Sequence, residues 1–96
     1  MSNLLEGKTA IITGGSKGIG YSIAERFMNE GAKVIICSRN SSELLEAASK
    51  LSCESYQLDV SDSKGIKAMV EWFSKVHEKL DILVNNAGLI LSLIHI

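Results

Sequence analysis

The chain has 96 residues, 46% of them hydrophobic and 22% charged, a balance that suits a folded domain and excludes a collagen-like or disordered polymer. Ten Lys and Arg stand against eleven Asp and Glu for a formal charge of −1, with no block of one sign, which excludes a basic nucleic-acid module. There is no apolar run of about 18 residues to span a membrane, and the start Met1-Ser2-Asn3-Leu4-Leu5-Glu6 is not a secretory signal.

The first predicted element is an apolar strand from Lys8 to Thr13, ending at glycines. Ile19, Ile23, Ala24, Phe27 and Met28 then recur at helical spacing up to Gly31, a natural residue just past a helix end. A second strand runs from Lys33 to Ser38. Asn40 followed three residues later by Glu43 resembles a capping box, and opens a helix carrying Leu44, Leu45, Ala48 and Leu51. Glu54 to Leu58 is a third strand, and Asp59-Val60-Ser61-Asp62 a loop and cap. Ile66, Met69, Val70, Phe73 and His77 form the stripe of a third helix ending near Glu78, with Trp72 and Phe73 as packing residues. Asp81 to Asn85 is a fourth strand leading into Asn86-Ala87-Gly88.

Alternation of apolar strands with helices predicts an α/β fold, a Rossmann-type doubly wound parallel sheet with strand order 3-2-1-4. Such a sheet normally continues, whereas this chain stops eleven residues after Asn85, so the expectation is a sheet truncated after its fourth strand. Cys37 and Cys53, sixteen positions apart with no Cys-x-x-Cys, are expected as two buried free thiols of a reducing, cytoplasmic compartment; no metal site is expected.

Two loci carry chemistry. Thr13-Gly14-Gly15-Ser16-Lys17-Gly18-Ile19-Gly20 joins the first strand to the first helix. Its glycines permit a tight turn and let backbone N–H groups approach a pyrophosphate at a helix N-terminus. A purely structural turn is the competing reading, and a Walker A loop is excluded because Lys17 is not in a Gly-Lys-Ser/Thr ending. At the end of the second strand, where an NAD enzyme places Asp or Glu for the ribose hydroxyls, the sequence is Cys37-Ser38-Arg39-Asn40. With no carboxylate there and with Arg39 and Lys17 on the two phosphate-facing loops, the expected ligand is the 2′-phosphate of NADP. The competing reading makes both cations solvated surface charge. A methyltransferase is disfavoured, since its ribose site also wants an acid at that position.

Thr13-Gly14-x-x-x-Gly18-x-Gly20, Asp59-Val60 and Leu83-Val84-Asn85-Asn86-Ala87-Gly88, in this order and spacing, resemble the short-chain dehydrogenase/reductase family. The resemblance implies that Asp59 and Val60 border the adenine, that Asn86, Ala87 and Gly88 pass near the adenosine ribose, and that Asn85 ties the central strands together. With Gly14, Ser16, Lys17, Gly18, Ile19, Gly20, Ser38 and Arg39 these form the expected cofactor site. It also implies hydride transfer between NADP(H) and a carbonyl or alcohol, and a homo-oligomer at full length.

The family's catalytic Ser and Tyr-x-x-x-Lys are not in the chain: Tyr21 is followed at the fourth position by Glu25, and Tyr56 by Val60. Residues 1–90 are therefore expected to be the N-terminal part of an NADP-binding domain, inactive as a fragment. Residues 91–96 match the translation of a transposon end used in sequencing libraries and are expected to be a non-native tail. The alternative function is a non-catalytic dinucleotide-binding module complete as it stands.

Overall fold

Ile11 and Ile12 are consecutive residues of strand β1 (Thr9–Thr13), so their side chains leave opposite faces of the sheet, yet both are fully buried. The sheet is thus covered on two sides, as a central parallel strand requires. In this computed structural model, which describes residues 3–86, the remaining elements are α1 (Gly18–Asn29), β2 (Lys33–Ser38), α2 (Ser41–Leu51), β3 (Glu54–Gln57), α3 (Ser63–Val76) and β4 (Ile82–Asn85). All pairings are parallel and the strand order is β3-β2-β1-β4, as the alternation of elements predicts. Ala87, Gly88 and the 91–96 tail lie outside the described residues.

One core packs α1 and α2 over Ile12, Val34 and Ile36, with Ala24, Leu44 and Ala48 from the helices. The other packs α3 over Ile11, Ile35 and Cys37, where Met69 and Phe73 are fully buried. Trp72 lies 4.9 Å from Tyr56, ring centre to ring centre, so the aromatic pair of α3 serves packing as its spacing predicts. Tyr21 packs on the first core from α1.

Strand ends are shorter than the apolar runs suggest. Lys8, Leu58 and Asp81 fall just outside β1, β3 and β4, although Lys33 N still donates to Lys8 O at 2.9 Å and Leu58 N to Ser38 O at 3.0 Å. The expected end of α3 near Glu78 is also corrected. The helix stops at Val76, and His77 is extended with φ −125° and ψ 149°. His77 keeps its place on the stripe by stacking on Phe73 at 4.9 Å, and its Nε2 pairs with Glu54 Oε1 at 3.1 Å, which favours leaving the helix to reach β3. Of the two expected buried thiols only Cys37 is buried. Cys53, on the turn between α2 and β3, is half-buried.

The register brings Thr13 opposite Cys37 and Asn85, and Ser38 opposite Gln57. All four strands therefore end along one edge, and the loops that follow them lie side by side. Among the described residues no helix is long and apolar enough to cross a membrane.

Candidate functional site

The glycine turn is shaped by two different demands. Gly18 has φ +63°, a left-handed backbone that glycine adopts without penalty, and a Cβ there would meet nothing within 4 Å. Gly15 and Gly20 are instead required by close approach. A Cβ on Gly15 would lie 2.8 Å from Ile36 Cβ, and one on Gly20 would collide with the Gly14 carbonyl oxygen and come within 2.7 Å of Asn86 Nδ2. The turn is tied to the end of β2 by Gly15 N donating to Cys37 O at 3.2 Å and by Ser16 Oγ donating to Ser38 Oγ at 3.2 Å. It is tied to the end of β4 by Asn86 Nδ2 donating to Gly14 O at 3.2 Å.

Behind it, the Thr13 hydroxyl lies 3.3 Å from the Val84 carbonyl and 3.1 Å from Asn85 Oδ1, so Asn85 reaches the β1–β4 junction. Lys17 occupies the N-cap of α1 in extended conformation and its side chain makes no cap hydrogen bond. The first N–H groups of the helix, at Gly18, Ile19 and Gly20, thus carry the partial positive charge of a helix N-terminus without a side-chain acceptor from the cap residue. The uncapped start of this helix fits the approach of a pyrophosphate, while the space left by the missing Cβ of Gly20 is taken by the Gly14 carbonyl.

Beside the turn lies a cleft of about 310 Å³ at the carboxyl edge of the sheet. It is lined by Gly14, Ser38, Arg39, Asp59 and Val60, all singled out from the sequence, together with Cys37, Leu58 and Ser61. Open parallel sheets bind ligands at this edge, where adjacent connections part to opposite faces. Here α1 and α2 lie on one face and α3 on the other.

Asp59 closes a local loop: its Oδ1 accepts from Ser61 Oγ at 2.6 Å and Ser61 N at 2.9 Å. These bonds, the hydroxyl first, hold its carboxyl below the ordinary carboxylate value of 3.8, with a further contribution from the Arg39 charge. It therefore remains an anion, and an acceptor, at neutral pH. Arg39 is exposed, and its carbonyl accepts from Gln57 Nε2 at 3.1 Å.

Not all predicted site residues gather in the cleft. Gly18 and Ile19 line a separate groove on α1 with Phe27, and Ile19 is 72% exposed. Lys17 turns toward α2, where its Nζ lies 3.5 Å from Glu43 Oε1. Glu43 N donates to Asn40 Oδ1 at 3.0 Å, as the Asn40/Glu43 spacing predicts, but the Glu43 carboxylate faces Lys17. Ser61, Gln57 and this role of Glu43 are missed by sequence reasoning. Asp59-x-Ser61 is a pattern whose side chain bonds two residues on, so that contact had a signal. Gln57 had none, because its contact depends on the β2–β3 register. Among the described residues no group of three His, Cys, Asp or Glu is arranged to hold a metal ion.

Comparison with known proteins agrees with this geometry. The family described as short chain dehydrogenase matches residues 8–95. A (+)-cis,cis-nepetalactol synthase of Nepeta racemosa is 38% identical over 94 residues, covering 94% of this chain and 35% of that protein. A 3-oxoacyl-(acyl-carrier-protein) reductase of Chlamydia trachomatis is 42% identical over 95 residues, covering 93% of this chain and 38% of that protein. Among solved structures, a Pseudomonas aeruginosa RhlG/NADP active-site complex superposes with a TM-score of 0.83 at 36% identity, covering 93% of this chain and 38% of its own. The chain thus spans little more than a third of the length of these relatives.

Proposed function

This chain belongs to the short-chain dehydrogenase family, and on that premise we propose that it is the NADP(H)-binding part of a longer oxidoreductase that moves hydride between the nicotinamide and a carbonyl or alcohol substrate. The observation that carries the choice of cofactor is the end of β2. Ser38 and Arg39 line the cleft there, and no carboxylate occupies the position that would hold a free 2′-hydroxyl. The similar Pseudomonas aeruginosa RhlG structure is a complex with NADP, which supports the same choice.

In this reading Gly18, Ile19 and Gly20 present backbone N–H groups to the pyrophosphate, Arg39 and Lys17 take the 2′-phosphate, and Asp59, Val60, Asn86, Ala87 and Gly88 border the adenosine. NADP(H), when bound, supplies or accepts the hydride. The chain's own work is to bind and orient it. The Ser and Tyr-x-x-x-Lys of the family, absent from these 96 residues, belong to the remainder of the protein in this proposal, so the 96 residues alone do not turn over substrate. A complete non-catalytic module is not favoured, because the matching family is one of dehydrogenases. Free thiols at Cys37 and Cys53 suit a cytoplasmic setting.

The test is Ser38→Asp in the full-length protein. A carboxylate there adds a ribose acceptor and repels a 2′-phosphate, so the preference should invert from NADPH to NADH. A variant whose ratio of affinities equals that of the parent would overturn the assignment.

A further inference from the structure

Lys17 has a partner in the structure that the cofactor would have to share. Its ammonium lies 3.5 Å from Glu43 Oε1, and the carboxylate is the less exposed end. Glu43 N is held by Asn40 Oδ1 at 3.0 Å in the first turn of α2, where the helix dipole favours an anion. The pair is nonetheless open to water, with 78% of the Lys17 side chain and 43% of the Glu43 side chain exposed, so it is weak enough to be broken by a better anion. Arg39 stands apart from this contact. Its backbone is held by Gln57 and its charge acts on Asp59, so the two cations of the site have separate neighbours.

Resting on the NADP(H) reading above, we infer that Glu43 is a specificity-determining residue: its carboxylate competes with the 2′-phosphate for the Lys17 ammonium and so limits the preference for the phosphorylated dinucleotide. When the phosphate arrives, either Lys17 leaves Glu43, or it stays between two anions that repel each other. Both routes subtract from NADP(H) binding. Neither touches NAD(H), which carries only a neutral hydroxyl at that point. Glu43 is thus a positioning residue acting through Lys17, and its effect is electrostatic and sensitive to salt.

The experiment measures dissociation constants for NADPH and NADH in the full-length protein and in Glu43→Gln, Lys17→Met and the double variant, at low and high salt. Glu43→Gln keeps the backbone N–H that Asn40 caps and loses only the favourable first-turn charge, so it should fold with a slightly lower melting midpoint than the parent. It should tighten NADPH about two- to fivefold at low salt and leave NADH unchanged, with a smaller gain at high salt. In the Lys17→Met background the gain should shrink. Unchanged or weaker NADPH binding in Glu43→Gln, in a parent that prefers NADPH, would overturn this inference and leave the cofactor assignment standing. An undiminished gain in the Lys17→Met background would overturn competition through Lys17. A parent with no preference would instead overturn the NADP(H) reading itself.

Discussion

Ser16 Oγ donates to Ser38 Oγ across 3.2 Å, joining the glycine turn to the end of β2 through side chains. A backbone bond from Gly15 N to Cys37 O at 3.2 Å joins the same two loops. Each loop carries one cation at the next position, Lys17 and Arg39, so the spacing of their Cα atoms is fixed by the fold and only the side chains are free to adjust. An anion bridging these two positions therefore meets a partly preorganised site.

The glycine turn predicts a graded response to alanine. Gly18→Ala meets open space and carries only the left-handed backbone penalty, about 1–2 kcal/mol. Gly20→Ala drives a Cβ into the Gly14 carbonyl and within 2.7 Å of Asn86 Nδ2, where backbone cannot yield. It should destabilise more than Gly18→Ala and weaken cofactor binding as well. Urea unfolding of the two variants in the full-length protein checks the order; equal losses would contradict it.

Asp59 and Asp81 contribute to the acid limb of stability. Ser61 lowers the Asp59 carboxyl and the Thr9 N–H lowers that of Asp81, so both bind protons less readily folded than unfolded. Their stabilisation is present above the ordinary carboxylate value of 3.8 and disappears as pH falls through the depressed folded values. Ser61→Ala should raise the Asp59 titration midpoint toward 3.8, read by carbon-detected NMR of the carboxyl. A midpoint unmoved by the substitution would show that the hydroxyl is not the cause.

The two thiols should react in order. Burial pushes Cys37 up to about 12, leaving almost no thiolate at pH 8. Cys53 is also raised, by burial first and by Glu54 next, but is half-buried and reachable. A disulfide reagent should label Cys53 first and Cys37 only on unfolding, and Cys53→Ser should remove the native-state labelling. Rapid labelling of Cys37 in folded protein would contradict the packing under α3.

The fold was legible because its signals are local. Continuous apolar strands, the Asn40 cap and the stripe through Met69 and Phe73 each identify an element, and the alternation of elements leaves few topologies. Element ends were less legible. His77 continues the helical spacing but leaves the helix for Glu54, a partner 23 positions away in sequence that no periodicity reveals. The same holds in the site. Gly14, Ser38 and Arg39 were nameable from their places at strand ends, Asp59 and Val60 only through the family resemblance, and all five line one cleft. The Gln57–Arg39 contact depends on register, and the Lys17–Glu43 contact on how the starts of α1 and α2 face each other.

In the proposed function Arg39 and Lys17 read a 2′-phosphate, which the ratio of dissociation constants for NADPH and NADH in the full-length protein and in Arg39→Ala tests without an intermediary. One charge-assisted hydrogen bond contributes about 1.5–3 kcal/mol, where 1.4 kcal/mol is a factor of ten. The parent should therefore bind NADPH at least about tenfold more tightly than NADH, and Arg39→Ala should lose most of that difference by weakening NADPH alone. Equal constants for the two nucleotides in the parent would contradict the account and reduce both cations to surface charge.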